Sequence, residues 1–310
     1  MFQWLSSLFG GKKKKDSAAF RSSGKQSQGL APPKPLSRED VDKRFDKGNR
    51  IGQGSMSKVF KALDRKLGRN VCLKLLDAKK TEHFESRFKG LNKPPEGEIC
   101  HKLRHENIVQ TMDYGIHSKT GEPFIVMEFV DGVGLNFLIE TKSKKLQGNR
   151  VNYLRQIASG IDYLHKSGYL HRDICPRNIM VSNEGVVKLI DFGLAIPNRP
   201  EFCRPGNRTG TPNYLAPEII RRSSTDLRVD MFALGVTAYE MFTQSLPWES
   251  SQSMQALIGH MNSPPKDPRD FIPDMPDATR DFLLKAIDRN PSGRFQSAAD
   301  FREALDKVIE

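Results

Sequence analysis

The chain has 310 residues, of which 37% are hydrophobic and 28% charged, and a net charge of +12 at pH 7. A chain of this length can fold as one large two-lobed domain or as two ordinary domains. No apolar run approaches the roughly 18 residues that a membrane-spanning helix needs. The four cysteines are widely spaced and form no metal-ligand pattern. So few cysteines in a long chain also argue against a disulfide framework, and they favour a reducing, cytoplasmic location.

Residues 1–40 differ from the rest of the chain in composition. Up to Arg38 they include eight basic residues and one acidic residue, so they carry +7 of the net +12. Their lysines, serines, glutamines and prolines predict a disordered basic tail that ends in a Pro-rich linker at 31–35. Apolar residues precede the four lysines at 12–15, which is the reverse order of a secretory signal.

The tail has two alternative interpretations. Residues 1–15 could contact an anionic membrane weakly, through apolar side chains followed by lysines. The simpler alternative is a solvated charged tail. Nucleic-acid binding is not expected, because no aromatic residues alternate with the basic ones as single-strand binding would favour.

From about residue 45 the pattern becomes β-rich. Short apolar runs separated by glycine-containing turns predict strands at 50–51, 58–63, 71–76 and 124–127. Helical composition appears at 81–89 and 96–103, and the two segments are parted by Pro94-Pro95, which a helix cannot cross.

After about residue 131 the chain is mainly helical. Apolar residues recur at helical spacing in four segments, at 151–164, 232–242, 278–287 and 298–309. The chain contains no internal repeat. The order of elements therefore predicts an α+β fold of two lobes, a small β-rich lobe with one main helix at about 45–130 and a larger, mainly helical lobe at about 131–305.

Gly52 and Gly54 lie between two predicted strands. Glycine lets a hairpin backbone approach phosphates closely, so that its N–H groups can bind them. Many glycine pairs merely turn a hairpin, however. Lys74 ends the next apolar strand, and burying its ammonium group is costly unless a phosphate or a carboxylate pairs with it. Together the two features indicate a phosphate-binding site.

The strongest signal is His-Arg-Asp-Ile-Cys-Pro-Arg-Asn at 171–178, followed by a short apolar strand and by Asp-Phe-Gly at 191–193. Phosphoryl transfer from Mg-ATP requires a carboxylate that accepts a hydroxyl proton, together with an amide and a second carboxylate that hold metal ions. A polar turn that caps helices does not explain both motifs at this separation. Gly-Thr-Pro-Asn-Tyr-Leu-Ala-Pro-Glu at 210–218 adds a third motif.

With these motifs in this order, residues 45–305 resemble a eukaryotic-type (Hanks-type) serine/threonine protein kinase domain. The resemblance implies transfer of the γ-phosphoryl group of Mg-ATP to serine and threonine hydroxyls of protein substrates. Asp173 would be the catalytic base, while Asn178 and Asp191 would bind magnesium. The sequence of the catalytic loop, with Cys-Pro-Arg at 175–177, favours a bacterial member of the family.

The resemblance also implies how Lys74 is used. It would contact the α- and β-phosphates and pair with a glutamate of the following helix. Counting back from His-Glu-Asn-Ile-Val at 105–109 assigns that glutamate to Glu96, with Glu98 as the alternative. Because Pro94-Pro95 stands directly before Glu96, this helix is expected to be broken or to start late.

The nucleotide-binding residues follow from the same resemblance. Met127 would guard the back of the adenine pocket, and Glu128 and Val130 would hydrogen-bond adenine through their backbone. Ile51, Val59, Cys72 and Met180 would sandwich the ring. The full predicted set is Ile51, Gly52, Gln53, Gly54, Ser55, Met56, Ser57, Lys58, Val59, Cys72, Lys74, Met127, Glu128, Val130 and Met180.

Two structural roles are implied in the large lobe. Glu218 would pair with Arg294, and Asp230 would brace the catalytic loop from the central helix of that lobe.

Three positions depart from the family pattern. Ser57 replaces the third glycine of the phosphate loop, and Cys175 stands where a lysine usually steadies the γ-phosphate. Arg177 occupies a place where tyrosine kinases often carry arginine, so it could supply the missing cation. Two alternatives to a serine/threonine kinase remain at this point: a pseudokinase that serves as a scaffold, and a dual-specificity kinase.

Regulation is also suggested by the segment 191–218, which we call the activation segment. Thr209 is the only hydroxyl residue between Asp191 and Gly210. In the family, the arginine beside the catalytic base, here Arg172, is a buried cation that a phosphate on this segment neutralises. The resemblance therefore implies activation by phosphorylation of Thr209, with a permanent partner such as Glu201 as the alternative.

Overall fold

The computed structural model describes residues 36–53, 56–206, 208–250, 257–258 and 262–310. The predicted disordered tail and its proposed membrane contact at 1–15 lie outside the described residues. We call residues 36–130 the small lobe and residues 131–310 the large lobe.

Six strands form the sheet of the small lobe. They are β1 (Arg38–Glu39), β2 (Phe45–Gln53), β3 (Ser57–Asp64), β4 (Arg69–Leu76), β5 (Thr111–His117) and β6 (Pro123–Glu128). Their order across the sheet is β1-β5-β6-β4-β3-β2. Side-chain alternation along the central strand β4 puts Val71 and Leu73 into a buried apolar cluster with Phe124 and Val126. Lys74 therefore points to the opposite face of the sheet.

The edge of this sheet begins earlier in the chain than the sequence predicted. The sequence includes residues 36–40 in the tail and linker segment 1–40, but in the structure β1 pairs in parallel with β5, with Arg38 opposite Ile116. A short helix, α1 (Val41–Arg44), follows β1. Its Arg44 is buried and lies 2.8 Å from Asp64 and 2.6 Å from Asp113. A two-residue strand has no periodicity to read, so only the tertiary pairing shows that the linker ends before residue 38.

The small lobe carries two further helices where the fold prediction named one main helix. They are α2 (Ala78–Glu85), continued by a 3₁₀ turn at Ser86–Phe88, and α3 (Glu96–Lys102). Asp77 caps α2 by accepting a hydrogen bond from the Lys80 N–H at 3.0 Å. Pro94 and Pro95 separate the two helices, as predicted, because neither proline can donate a backbone hydrogen bond.

The large lobe contains the remaining helices. Those described are α4 (Leu135–Glu140), α5 (Arg150–Lys166), α6 (Pro217–Ile220), α7 (Arg228–Thr243), α8 (Asp277–Ala286) and α9 (Ala298–Ala304). Further 3₁₀ turns lie at Pro176–Asn178, Pro212–Tyr214, Pro268–Asp270, Pro291–Gly293 and Leu305–Lys307. Among all the helices of the described ranges, none is both long enough and apolar enough to cross a membrane.

Five short strands connect these helices to the cleft between the lobes. They are β7 (Gly132–Gly134), β8 (Tyr169–Leu170), β9 (Ile179–Ser182), β10 (Val187–Leu189) and β11 (Ile196–Pro197). β10, β9 and β7 form one small sheet, and β11 pairs with β8. The catalytic motif at 171–178 thus runs between β8 and β9, and Asp191 follows β10.

Helix α7 is the centre of the large lobe. It is buried on nearly all sides, so its apolar residues lie around the whole helix rather than in one stripe. Gly235 lets α8 approach closely, because a Cβ atom at that position would lie 2.5 Å from the Ala286 carbonyl oxygen. Arg294 donates two hydrogen bonds to Glu218, at 2.8 and 2.9 Å, and its side chain is fully buried. The predicted structural pair is therefore confirmed.

Candidate active site

Lys74 lies between two carboxylates in the cleft between the lobes. Its Nζ atom is 2.6 Å from Glu96 Oε1 and 2.8 Å from Asp191 Oδ1, and its side chain is 4% exposed. Burial alone would lower the pKa of Lys74, but the charges of Asp191 and Glu96 raise it above its ordinary value. The ammonium group is therefore charged, and it connects the sheet, helix α3 and the activation segment.

Helix α3 supplies Glu96 from its first turn. The helix starts late, at Glu96 itself, directly after Pro95. Gly97 permits this placement, since a Cβ atom there would lie 2.7 Å from Tyr114 on β5. Burial, with the nearby charge of Asp191, raises the pKa of Glu96 even though Lys74 opposes the shift. The alternative partner, Glu98, instead forms a surface ion pair with Lys102 at 2.7 Å.

Asp173 is held from two directions. Its Oδ1 accepts hydrogen bonds from the backbone N–H and the hydroxyl of Thr211, both at 2.8 Å. Its Oδ2 accepts a hydrogen bond from Asn178 Nδ2 at 2.9 Å, and the same amide also donates to the Asp173 carbonyl at 2.8 Å. The carboxylate is thus fixed between the catalytic loop and the 210–218 motif.

Asp230 of α7 anchors the catalytic loop from below. It is fully buried and accepts hydrogen bonds from the backbone N–H groups of His171 and Arg172, at 2.8 and 2.7 Å. His165 Nε2 lies 2.8 Å from the same carboxylate. Burial would raise the pKa of Asp230, but these hydrogen bonds and the His165 charge hold it below its ordinary value. The positive φ of Arg172, 66°, shows that the loop turns sharply here.

Asn178 and Asp191 carry the donor atoms that magnesium prefers, an amide oxygen and a carboxylate. The Asn178 nitrogen is engaged with Asp173, so its oxygen is the atom that can face a cation. Lys74 and the Gly193 N–H both donate to Oδ1 of Asp191, so Oδ2 is the oxygen of this carboxylate that could bind a cation. Burial would raise the pKa of Asp191, but Lys74 holds it below its ordinary value. The residues present therefore fit a divalent cation.

Cys175 is a buried neutral residue. Its Sγ lies 3.7 Å from the Thr211 hydroxyl, and burial raises the pKa of the thiol to about 12. A thiol never carries a positive charge, so Cys175 cannot replace a lysine. Arg177 is exposed. Its positive charge opposes the rise that burial causes in the pKa of Glu240 and of Tyr214, whose side chains hydrogen-bond to each other.

Strand pairing joins several of the predicted nucleotide-binding residues to a neighbour. Gly52 pairs with Val59 across the β2–β3 hairpin, and Cys72 pairs with Met127 across β4 and β6. Met180 lies opposite Gly134 in the small sheet of the large lobe. Ile51 is 50% exposed, and Lys58 is also exposed. Gly54 and Ser55 lie outside the described residues, and nothing is described for the side chain of Gln53.

The structure limits which backbone atom of Glu128 could meet adenine. Its backbone N–H donates to the Gln110 carbonyl at 2.9 Å, and its side chain accepts from Lys188 at 2.8 Å. The N–H is therefore engaged within the protein, which leaves the N–H of Val130 as the backbone donor of the predicted pair. Both Val130 and Met180 are half-buried, and Met127 is buried.

A cavity of about 80 Å³ lies beside Lys74, Glu96, Asp173 and Asp191, and we call it the catalytic cavity. It is lined by Met56, Ser57, Lys74, Leu76, Thr81, Phe84, Glu85, Lys93, Glu96, Asp173, Asp191, Gly193 and Leu194. Sequence reasoning missed Phe84 and Lys93. No motif marks them, since they come from α2 and from the connection to Pro94-Pro95, where only tertiary packing brings the chain to the cleft.

Comparison with known proteins decides the family. Residues 45–307 match the family model described as the protein kinase domain. The chain belongs to the protein kinase family. It is 34% identical over 271 residues to serine/threonine-protein kinase pkn3 of Myxococcus xanthus, covering 83% of this chain and 48% of that protein. It is 31% identical over 283 residues to serine/threonine-protein kinase PknB of Mycolicibacterium smegmatis, covering 88% and 44%.

A solved structure agrees with the family assignment. The kinase domain of Mycobacterium tuberculosis PknI superposes with a TM-score of 0.65 at 25% identity, over 85% of this chain and 95% of that domain. The two-lobed α+β prediction is therefore confirmed. The kinase spans less than half of the length of the curated relatives that it matches.

Proposed function

We propose that this kinase transfers the γ-phosphoryl group of ATP to serine and threonine hydroxyls of protein substrates. One observation carries the proposal: Lys74 pairs with Glu96 and Asp191 in the same cavity that Asp173 lines. Phosphoryl transfer depends mainly on positioning and on stabilising charge, and this arrangement provides both.

Each residue of the cavity has a defined task in this reaction. Lys74, held charged by its two carboxylates, binds the α- and β-phosphates of ATP. Asp173 accepts the proton of the substrate hydroxyl as the oxygen attacks. Its hydrogen bonds from Thr211 and Asn178 fix the direction of the carboxylate, so that the hydroxyl meets an oriented acceptor.

Magnesium would be held by Asn178 and Asp191. When bound, the ion neutralises phosphate charge and orients the γ-phosphate for in-line attack. The chain contributes the amide oxygen and the carboxylate, and Asp230 holds the catalytic loop that carries Asn178 through the backbone of His171 and Arg172.

The acceptor is proposed to be serine or threonine. Thr211, the second residue of the 210–218 motif, bonds directly to the catalytic carboxylate, which follows the serine/threonine pattern of this platform. Arg177, an exposed residue of the catalytic loop, is the feature of the sequence that favours dual specificity. The pseudokinase alternative is not favoured, because Lys74, Asp173 and Asp191 are all present and converge on one cavity.

We further propose a cytoplasmic kinase with protein substrates as its partners, no nucleic-acid ligand, and weak anionic-membrane contact through residues 1–15. The composition of the tail and the absence of a cysteine framework support this proposal.

The test is incubation of the purified kinase with radiolabelled ATP, magnesium and generic protein substrates, followed by phosphoamino-acid analysis. We expect phosphoserine and phosphothreonine, and no transfer after chelation of divalent cations. Predominant phosphotyrosine would refute the proposed acceptor, and ATP binding without transfer would favour a pseudokinase.

A further inference from the structure

Three phenylalanines from two distant parts of the chain meet beside the catalytic cavity. Phe84 lies on α2, Phe88 on the 3₁₀ turn that continues it, and Phe202 in the activation segment. The Phe84 and Phe88 ring centroids are 5.5 Å apart, and those of Phe88 and Phe202 are 5.8 Å apart. All three side chains are at most 6% exposed. We call this group the aromatic cluster.

The aromatic cluster rests on the strand that leads into the catalytic loop. Leu170 and Ile196 are fully buried against it, and they pair with each other across β8 and β11. Leu170 directly precedes His171, the first residue of the catalytic motif. Cys203, next to Phe202, is held by the Thr225 N–H, which donates to its carbonyl at 3.0 Å. Phe202 is therefore held by side-chain packing, and its neighbour Cys203 is held by a backbone hydrogen bond.

The same cluster reaches the small-lobe side of the catalytic cavity. Phe84 lines that cavity together with Lys74, Asp173 and Asp191. The Lys93 ammonium lies 5.4 Å from the Phe84 ring centroid and donates to the Pro94 carbonyl at 3.1 Å. Pro94-Pro95 leads directly into Glu96. Lys93 therefore links Phe84 of α2 to the start of α3, the helix that carries the partner of Lys74.

These contacts join three parts of the catalytic apparatus that no single element connects. The cluster is separate from the apolar cores of the small and large lobes, and it draws residues from both lobes. Tight side-chain packing has discrete arrangements, so a packed contact of this kind holds one relative placement of the elements that it joins.

We propose that Phe88 and Phe202 are positioning residues for phosphoryl transfer. Their contact holds the activation segment against the 3₁₀ turn that continues α2. In this placement Lys74, Asp191 and Asp173 line one cavity. The inference rests on the proposed kinase activity, and it assigns to α2, which carries no kinase motif, a part in the rate of the chemical step.

The test uses the full chain with Phe88→Ala, Phe202→Ala and the double variant. Each single variant should lower kcat by about 3- to 30-fold, while the KM for ATP stays within about twofold of the wild-type value. The double variant should lose no more than the worse single variant, because both remove the same contact. Phe137→Ala, at a side chain that is 52% exposed on α4, is the matched control and should retain wild-type kcat.

Leucine variants separate positioning from folding. Phe88→Leu keeps an apolar side chain in the cluster and should recover most of the kcat that Phe88→Ala loses. If the alanine variants do not fold, as circular dichroism would show, Phe88→Leu and Phe202→Leu should give a smaller kcat loss that is likewise shared in their double variant.

Two kinds of failure are distinguishable. A wild-type protein that transfers no phosphate overturns the proposed function itself. An active wild-type protein overturns only the positioning role if the folded alanine variants, or the leucine variants where alanine does not fold, keep wild-type kcat. Losses that multiply in the double variant would overturn it too.

Discussion

Lys74 and Asp173 stand out at the residue scale because each is fixed by groups that the chemistry needs. Breaking a buried ion pair leaves an uncompensated charge, which is strongly destabilising, so a buried lysine with two carboxylates has little freedom to move. Asp173, in contrast, is fixed by neutral donors, an amide, a hydroxyl and a backbone N–H. Hydrogen bonds of this kind orient a carboxylate and leave it able to accept a proton.

Asp173→Asn is predicted to abolish most of the activity. The amide preserves the shape of the side chain but cannot accept the hydroxyl proton, so kcat should fall by about two orders of magnitude or more. Binding of ATP should change little, which titration calorimetry can measure. Asp162→Asn removes a carboxylate that only pairs with Lys166 on the surface, and it should retain wild-type kcat. Wild-type turnover in Asp173→Asn would show that the base is misassigned.

His171 predicts a pH dependence of stability. Burial lowers its pKa below the ordinary value of 6.5, and its Nδ1 accepts a hydrogen bond from the Asp173 N–H at 3.3 Å. The unfolded chain therefore binds a proton at His171 more readily than the folded protein does. As a result, the stability due to neutral His171 is present above pH 6.5 and is lost as the pH falls below it.

The measurement is the thermal midpoint of wild-type protein and of His171→Phe between about pH 5.5 and 7.5, a range that spans the ordinary histidine pKa. The thermal midpoint of the wild-type protein should fall relative to that of His171→Phe as the pH falls. His83→Ala, at an exposed histidine of α2, should keep the wild-type pH dependence. A midpoint difference that is constant with pH would contradict the argument.

At the scale of elements, α3 shows how a short helix can still carry the essential glutamate. Two prolines delay the start of the helix to Glu96, so this side chain stands at the helix N-terminus. A carboxylate is favoured there, because the first-turn N–H groups carry partial positive charge. The late start of the helix thus places the Glu96 carboxylate where the helix favours negative charge.

Glu96→Gln and Glu98→Gln form a matched pair of variants, because both glutamates lie in the first turn of α3. Glu96→Gln should lower kcat/KM for ATP by about 10-fold or more, because Lys74 loses one of the two charges that hold it. Glu98→Gln removes only a surface pair with Lys102 and should change kcat/KM little. Steady-state kinetics at varied ATP decides, and equal effects of the two variants would reject the assignment of Glu96.

The activation segment is predicted to carry phosphate on Thr209. Arg172 is 5% exposed, burial lowers the pKa of its guanidinium, and the nearby charge of Arg87 acts in the same direction. A phosphate would stabilise both cations through charge-assisted hydrogen bonds. Mass spectrometry after incubation with Mg-ATP should find this phosphate, and Thr209→Ala should lower kcat. The Asp173→Asn protein is the control and should remain unmodified. A fully active kinase with unmodified Thr209 would contradict the prediction.

At the scale of the whole molecule, the charge is unevenly distributed. Residues 1–38 hold +7 of the net charge of +12, so the kinase domain itself is only mildly basic. A field of this kind attracts anionic surfaces at low salt and is screened at high salt. Any membrane contact is therefore expected to depend on the lysines at 12–15.

Replacing these four lysines with alanine should reduce sedimentation of the full chain with anionic vesicles, since each lysine near such a surface contributes about 1 kcal/mol. Vesicles of phosphatidylcholine alone are the control and should bind neither protein. Equal sedimentation of the two proteins with anionic vesicles would remove the proposed contact and leave a solvated tail.

The sequence by itself determined the family, the two lobes and the candidate chemistry. Phosphoryl transfer admits few residue types, so Asp173, Asn178 and Asp191 appear in recognisable local motifs. The long helices were predictable for a similar reason, since α5 and α8 each bury a stripe of apolar side chains at helical spacing. Both kinds of signal are local, and local signals survive in a one-dimensional chain.

Only the tertiary structure decided what depends on contacts between distant segments. It selected Glu96 over Glu98, added β1 to the sheet, and engaged the Glu128 N–H with Gln110. It also brought Phe88 to Phe202, residues 114 positions apart in the chain. The motif at 105–109 had already indicated Glu96, with Glu98 as the alternative. The other contacts leave no periodicity and no motif, because each is fixed by packing across the cleft or the sheet rather than by its own neighbours in sequence.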